Sequence, residues 1–175
     1  MRHPIPADLK PENLIVLVDT REQEPLDLRP LTVERATLST GDYSIRGGEG
    51  IVAIERKSLP DLLACVGRER ERFDREMHRI AAYPCRALVV EATWPEIEAG
   101  DWRSEVTAAA VLGSLLGWMM AGVPVLMAGT HERAGRYVAR LLLLAARRRW
   151  RENRGLLAVL DVPEQPPGQE PKPKE

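Results

Sequence analysis

Short, continuous apolar runs constrain the fold of this chain more than any other feature of its sequence. They have the length of β-strands and lie at residues 14–18, 51–54, 87–90 and 123–128. A strand that is apolar without alternation is buried on both faces, which occurs when helices cover both sides of a sheet. Helix-length segments separate the later runs. The pattern therefore predicts an α/β protein with a mixed central sheet flanked by helices.

The remaining elements follow from periodicity and from turn residues. The expected strands span 13–19, 32–39, 43–46, 51–55, 86–91 and 123–128. The expected helices begin at Ser58, a good N-cap, and continue at 68–83, 94–99, 106–121 and 132–151. Short turns between the early strands favour antiparallel pairing there. The later strands are joined by helices and should each run parallel to a neighbour.

The length of 175 residues suits one domain with a substantial core, which we expect to span residues 13–160. Residues 1–12 are polar and proline-bearing and should form a flexible arm. Residues 161–175 are rich in proline, glutamate and lysine and should be a disordered tail. The net charge is −1. Total charge therefore gives no general attraction to nucleic acid, and any such contact must use local patches.

Residues 106–130 carry no charge, which raises the question of a membrane span. Gly122 and Pro124 divide the stretch into a helix-length and a strand-length piece, which favours a buried helix followed by a buried strand. The helix is apolar on nearly every side, so it is either central in the core or part of a subunit interface. The N-terminus lacks an apolar signal segment, and Cys65 and Cys85 lack metal-ligand spacing. We therefore expect a cytoplasmic protein with reduced cysteines and no membrane partner.

Three acids and a lysine form the clearest candidate site. Asp19 and Glu55 end apolar runs, Asp42 follows Gly41, where the chain can bend, and Lys57 lies two residues beyond Glu55. Alternate residues of a strand share a face, so Glu55 and Lys57 should point the same way. Converging carboxylates can hold a divalent cation that activates water, while a lysine opposes charge on a phosphate. Solvated charges at strand ends are the ordinary alternative for any one of these residues alone.

The spacing of these residues resembles the signature of the XPF-type structure-specific endonucleases, which is GD, a variable gap, ERK, three residues and D. Here Gly41-Asp42 is followed after twelve residues by Glu55-Arg56-Lys57, and after three more by Asp61. Upstream, Val18-Asp19-Thr20-Arg21-Glu22 is similar to the V-D-x-R-E element of the family. Arg72-Phe73 with Glu76 also resembles the helix that follows the site. The resemblance covers about residues 14–144.

The resemblance implies a restriction-endonuclease-like core with Mg²⁺ or Mn²⁺ as the cofactor. Asp42 and Glu55 would bind the metal with help from the main-chain carbonyl of Arg56, and Asp19 would complete or adjoin the metal site. Lys57 would position the nucleophilic water and oppose charge on the phosphate. The residues expected to support the site are Arg21, Glu22, Arg56 and Asp61. Nuclease domains of this family commonly dimerise, which favours a homodimer and an interface role for the helix at 106–121.

Two groups of arginines are candidates for DNA contact. In the predicted helix 68–83, arginines alternate with acids, and a solvated helix with i,i+4 ion pairs is the simpler interpretation for most of them. Arg68 and Arg72 share a face and are the best candidates to contact phosphate. A denser patch comprises Arg147, Arg148 and Arg149. That patch either lies on the DNA backbone or simply follows the preference of a helix C-terminus for cations. His131 has no partner at ligand spacing and is interpreted as a surface or packing residue.

The resemblance implies metal-dependent hydrolysis of phosphodiester bonds in DNA, leaving 5′-phosphate and 3′-hydroxyl ends. The expected substrates are flaps, forks or junctions, as in DNA repair and recombination. Most relatives add a tandem helix-hairpin-helix domain that grips branched DNA, and no such domain is expected in this chain. Two alternatives stay open: a general or nicking duplex nuclease of restriction or phage-recombination type, and a non-catalytic DNA-binding partner subunit. The complete set of three acids and a lysine argues against the second.

Overall fold

The computed structural model describes residues 9–159, with side chains up to residue 156. The strands are β1 (Ile15–Asp19), β2 (Thr32–Ala36), β3 (Tyr43–Ile45), β4 (Val52–Ser58), β5 (Cys85–Glu91) and β6 (Val125–Met127). The helices are α1 (Leu59–Val66), α2 (Arg70–Ala81), α3 (Trp94–Ala99), α4 (Ala108–Met120) and α5 (His131–Val159), and a 3₁₀ turn spans Pro11–Asn13. The disordered tail expected at 161–175 and most of the arm expected at 1–12 lie outside the described residues.

One six-stranded mixed sheet organises the molecule, in the order β2-β1-β3-β4-β5-β6, which confirms the predicted α/β class. β3 is antiparallel to β1 and to β4, and the later strands β4, β5 and β6 run parallel, as expected. The expectation for the first pair is wrong, because β1 and β2 are parallel. Residues 20–31 join them, which is long enough for a crossover. That connection buries Leu26, Leu28 and Leu31 as it crosses.

Two apolar clusters lie on opposite faces of the sheet and explain the uninterrupted apolar runs. On one face, Val89 and its neighbours pack against Val138 and Leu142 of α5. On the other face, Leu88 and its neighbours pack against α1, α2 and α4, with Phe73 fully buried. Burying each such side chain contributes about 1.5–3 kcal/mol relative to leaving it exposed. Both sides of the sheet are therefore covered, and no alternation of polar residues is needed.

β4 is longer than the sequence predicted, and this places the charged residues within the strand. It continues to Ser58 because all seven of its residues pair with β5, from Val52 opposite Cys85 to Ser58 opposite Glu91. The expected start of α1 is confirmed: the hydroxyl of Ser58 accepts a hydrogen bond from the main-chain N–H of Asp61. Helix α1 thus begins directly where the candidate site ends.

Helix α4 is apolar on nearly every side, but only one of its sides is buried. Val111, Leu115 and Trp118 are buried in the second cluster, whereas Leu116 is 48% exposed and Met120 is 88% exposed. Among the described helices, none is both long and apolar enough to span a membrane. The uncharged stretch therefore forms a half-buried helix followed by the edge strand β6, and it leaves an apolar face on the surface.

Candidate active site

Main-chain hydrogen bonds bring three chain segments together at the carboxyl ends of strands β1 and β4. The N–H of Asp19 donates to the carbonyl of Asp42 (2.8 Å), and the N–H of Asp42 donates to the carbonyl of Ile54 (2.9 Å). Gly41 makes this approach possible, because it has a φ of +74° and a Cβ there would lie 3.0 Å from the Ile54 carbonyl oxygen. The carboxylate of Glu76 on α2 accepts the Gly41 N–H at 3.1 Å. The bend before Asp42 is therefore held from two sides.

Glu55 and Lys57 share one face of β4, as the alternation of strand residues predicted. Lys57 Nζ lies 2.5 Å from Glu55 Oε1 and donates to the main-chain carbonyl of Arg56 at 3.2 Å. The ammonium also lies 5.3 Å from the ring centroid of Phe73, within cation–π range. Both charges are largely withdrawn from solvent. The lysine is thus held in place at the pair of acids instead of extending into water.

Burial shifts the proton affinities of the two carboxylates in the same direction. It raises the pKa of Asp42 to about 6 and the pKa of Glu55 to about 8, and repulsion from Asp42 raises the pKa of Glu55 further. Burial alone would lower the pKa of Lys57, but Glu55 and Asp42 outweigh it, and the net shift is upward. Two desolvated acids that repel each other beside one lysine form a site at which an additional cation is stabilised.

Asp19 serves the turn that follows β1. Its Oδ1 accepts the N–H and the Nε–H of Arg21 at 2.8 and 2.7 Å, and its Oδ2 accepts from Arg21 Nη2 at 3.0 Å and from the N–H of Leu38 at 2.7 Å. Burial would raise the pKa of Asp19, but these hydrogen bonds hold it below its usual value. Asp19 therefore adjoins Asp42 through the main chain, while its carboxylate organises Arg21.

Within residues 9–159, no three His, Cys, Asp or Glu side chains form a group able to hold a metal ion. A metal bound at this site would therefore have Asp42, Glu55 and a main-chain oxygen as its protein ligands. That donor set is chemically adequate for Mg²⁺, which takes oxygen ligands and usually keeps several waters while using one or two carboxylates. The participation of Asp19 as a ligand remains a prediction.

An open groove of about 730 Å³ runs past these residues. The predicted site residues that line it are Arg21, Glu22, Asp42, Arg56, Lys57, Asp61, Arg68 and Arg72. The Arg68 side chain is 82% exposed, and the Arg72 guanidinium pairs with Glu69. Asp61 accepts a hydrogen bond from the Ser58 hydroxyl at 2.6 Å and so belongs to the start of α1. The structure thus brings Arg68 and Arg72 to the same groove as the acids.

The arginine patch of α5 lies at the opposite, amino-terminal ends of strands β4 and β5. Arg148 borders Val52 and Cys85, the first residues of β4 and β5. At about 3.3 Å per residue along β4, Val52 lies roughly 10 Å from Glu55 and roughly 17 Å from Lys57. Arg148 and Arg149 pair with Glu152, and Arg147 donates to the Leu9 carbonyl at 3.0 Å. Because α5 continues to Val159, the patch is not at a helix C-terminus, and its DNA contact remains a prediction.

The side chain of Arg56 points to the other face of β4 and joins a charged cluster that the sequence did not reveal. Arg56 Nε and Nη2 donate to Glu91 at 2.7 and 2.9 Å, and Nη2 lies 3.1 Å from Nδ1 of His131. Glu22 approaches Nη1 at 3.7 Å. Burial would lower the pKa of Arg56, but these acids raise it. His131, interpreted from the sequence as a surface or packing residue, does lie at the surface, and it also contacts this cluster.

The order of the strands, and the position of the site at the carboxyl ends of β1 and β4, define a restriction-endonuclease-like nuclease fold. Residues 18–141 match the model of the ERCC4 domain, and the chain belongs to that family. This confirms the resemblance seen in the sequence.

Among solved structures, XPF from Aeropyrum pernix is similar at a TM-score of 0.62 and 19% identity, covering 76% of this chain and 62% of that chain. XPF from Aeropyrum pernix in complex with DNA gives a TM-score of 0.61 and 19% identity, covering 76% of this chain and 65% of that one. The chain therefore spans less than two thirds of the length of either structure. No curated protein matches the sequence significantly.

Proposed function

We propose that this chain is a DNA endonuclease that hydrolyses phosphodiester bonds with Mg²⁺ or Mn²⁺. One observation carries the proposal: the desolvated carboxylates of Asp42 and Glu55 lie beside the ammonium of Lys57, and Asp42 and Lys57 line an open groove that also carries exposed arginines. Membership of the ERCC4 domain family and the fold shared with a protein solved in complex with DNA support it.

The acids and one main-chain oxygen are the proposed metal ligands. Asp42 and Glu55 supply the carboxylates, and Arg56 supplies its carbonyl, which already faces the charge of Lys57 at 3.2 Å. A bound divalent cation would lower the pKa of a coordinated water and polarise the phosphate. Asp42 is held for this task, because its Oδ2 accepts the Arg56 N–H at 2.8 Å.

Lys57 and the groove arginines are proposed to act on the DNA strand. Lys57 has three N–H donors, two of which are used by Glu55 and the Arg56 carbonyl. The third is available to a phosphate oxygen or to the attacking water. In the hydrolysis, the water oxygen bonds to phosphorus and the P–O3′ bond breaks, which leaves a 5′-phosphate and a 3′-hydroxyl. Arg68 and Arg72 would hold flanking phosphates in the groove.

Branched DNA is the proposed substrate class, on the strength of family membership. A general or nicking duplex nuclease and a non-catalytic DNA-binding subunit are the alternatives. The decisive test is cleavage of a labelled panel comprising linear duplex, nicked duplex, 3′-flap, fork and four-way junction, each with Mg²⁺, Mn²⁺ and chelator. We expect cleavage only with metal and most rapidly at the branch. Equal cleavage of linear and branched DNA would favour the general nuclease, and binding without cleavage would favour the non-catalytic subunit.

We further propose that the chain forms a homodimer through α4. The exposed residues of its outer face are apolar, including Leu116 at 48%, Met119 at 42% and Met120 at 88% exposure. A contiguous apolar face of this kind marks an interaction surface. Light scattering at micromolar concentration should report twice the chain mass, and the Met120→Lys variant should report one chain mass. A folded parent that remains a monomer would exclude this interface.

A further inference from the structure

We propose that Glu91 and His131 are positioning residues that hold Arg56 from behind and so fix the peptide group that serves the metal site. The inference deepens the proposed function, and it rests on that function for the metal role of the Arg56 carbonyl. Glu91 and His131 do not line the groove of the acids. They are therefore expected to act through Arg56 and not on the substrate.

Because successive side chains of β4 point to opposite faces of the sheet, the side chain and the main chain of Arg56 contact different groups. Its neighbours Glu55 and Lys57 point towards the groove, whereas its own guanidinium lies on the opposite face and is 5% exposed. The Arg56 main chain nevertheless belongs to the groove side. Its N–H donates to Asp42 Oδ2, and its carbonyl accepts from Lys57 Nζ. Any movement of the Arg56 side chain is therefore transmitted to a group that contacts both proposed catalytic charges.

Glu91 clamps the guanidinium in two places. Its Oε1 accepts from Arg56 Nε at 2.7 Å and its Oε2 accepts from Nη2 at 2.9 Å, the bidentate geometry that fixes both position and plane. Both side chains are at most 10% exposed. β5 offers Glu91 at this point because Ser58 and Glu91 are paired in the β4–β5 ladder. Removing Glu91 would cost the buried guanidinium its two shortest hydrogen bonds and leave it the more distant carboxylates of Glu22 and Glu24, at 3.7 and 3.5 Å.

His131 connects the clamp to α5. Its Nδ1 lies 2.8 Å from Oε1 of Glu91 and 3.1 Å from Nη2 of Arg56. Since the carboxylate can only accept, the tautomer with its hydrogen on Nδ1 donates to Glu91, and the contact of Nδ1 with Arg56 Nη2 is then not a hydrogen bond. The N-terminal residue of α5 thus orients the carboxylate that orients Arg56. The arrangement resembles the outer-sphere support of a metal ligand, whose removal typically costs 10–100-fold in metal affinity.

The test uses Glu91→Gln and His131→Ala in the full chain, with Arg86→Lys as the matched control. Arg86 also lies on β5 and donates two hydrogen bonds of 2.6 Å, to the carbonyls of Gly122 and Tyr83. It lies at the start of the strand, whereas Glu91 lies at its end. One readout needs no metal: hydrogen exchange of the Arg56 amide, measured by NMR. The other is the dissociation constant for Mn²⁺, measured by electron paramagnetic resonance without DNA.

We expect the Arg56 amide to exchange on the order of tenfold faster in both variants, while the exchange of the Val16 amide, in the core strand β1, is unchanged. We also expect Mn²⁺ to bind about 10–100-fold more weakly, as for other outer-sphere partners. Arg86→Lys should lower only the melting temperature. If both variants behave like Arg86→Lys, the inference is overturned.

Two further outcomes remain informative. Should the parent bind no Mn²⁺, the metal part of the proposed function fails, and the Arg56 amide still decides whether the clamp fixes the peptide group. Should Glu91→Gln fail to fold, His131→Ala decides, because that side chain is 45% exposed and its removal leaves the Arg56–Glu91 pair intact.

Discussion

Lys57 and Glu55 form an ion pair of 2.5 Å on one face of β4, and the lysine is also within 5.3 Å of the Phe73 ring. The pair is nearly enclosed, with 16% and 7% of the two side chains exposed. A lysine held in this way keeps its charge and its direction before any substrate arrives. Preorganised charge of this kind lowers a reaction barrier because no reorganisation is needed during the reaction.

Replacing Lys57 should therefore impair the chemical step more than substrate binding. We expect Lys57→Met to lower the single-turnover cleavage rate on the order of 10²–10³-fold, the scale for removing one electrostatic stabiliser. Lys10→Met is the matched control, since Lys10 is an exposed lysine next to Leu9, whose carbonyl contacts Arg147 of the α5 patch and not the site. A Lys57→Met rate within twofold of the parent rate would remove Lys57 from the mechanism.

The two acids should be indispensable for cleavage but not for folding. Asp42→Asn and Glu55→Gln should abolish cleavage at saturating Mg²⁺ while circular dichroism stays native, because each substitution keeps the shape and removes the charge that binds metal. Glu49→Gln, on the turn before β4, is the control for loss of an acid and should cleave at the parent rate. Cleavage by the parent in chelator, or by either variant, would contradict the assignment.

The stability of the metal-free protein should depend on pH through Asp42. Its pKa is about 6 in the folded chain and 3.8 ordinarily, so folding favours the protonated acid. The free energy of unfolding contributed by this group is therefore present at low pH and is lost as pH rises from about 4 to about 6. The shift corresponds to about 3 kcal/mol.

The difference between two chains isolates this effect from other titrating groups. Asp42→Asn cannot lose a proton, so in chelator its stability relative to the parent should improve between pH 4 and pH 6.5. Urea unfolding at both pH values measures the difference. An unchanged difference would mean that Asp42 is not desolvated in the metal-free state.

How far the sequence could predict this site follows from which contacts are local. Glu55 and Lys57 lie two residues apart, so the period of a strand was enough to place them on one face. Glu91 and His131 are 35 and 75 residues from Arg56 in the chain. No local period links them, and only the pairing of β4 with β5 and the docking of α5 bring them together. Glu91 does end an apolar run, as Asp19 and Glu55 do, which was the available signal.

The fold shows the same division. The apolar runs and Ser58 were sufficient to predict the sheet, its flanking helices and the start of α1. The parallel pairing of β2 with β1 was missed because the connection at 20–31 resembles a turn-rich loop, although its buried leucines make it a crossover. The full length of β4 was missed because charged residues usually end a strand, whereas here the pairing with β5 continues past them.

Gly41 should be irreplaceable on conformational grounds. Its φ of +74° is disfavoured for other residues, and a Cβ would meet the Ile54 carbonyl oxygen at 3.0 Å. We expect Gly41→Ala to lower the free energy of unfolding by at least about 1–2 kcal/mol and to reduce cleavage through displacement of Asp42. Gly50→Ala is the control, because nothing lies within 4 Å of a Cβ there. Chemical denaturation of both variants would reveal equal losses if the bend at Gly41 were unimportant.

Substitutions in the two arginine patches should have different effects, because the patches lie at opposite ends of strand β4. Arg68 lines the groove of the acids and is 82% exposed, whereas Arg148 borders the first residues of β4 and β5. On a duplex of about 10 base pairs, we expect Arg68→Glu to weaken binding and to reduce the slope of log K against log salt by about 1, the contribution of one phosphate contact. Arg148→Glu should change both quantities less on so short a duplex, since Arg148 does not line the groove of the acids. On a longer DNA that also reaches the first residues of β4 and β5, Arg148→Glu should weaken binding to all sequences alike, because phosphate contacts carry no sequence information. Titrations of both variants against both lengths, at three salt concentrations, distinguish the groove from the α5 patch. An Arg68→Glu variant that binds the short duplex like the parent would show that the groove is not the DNA-binding surface.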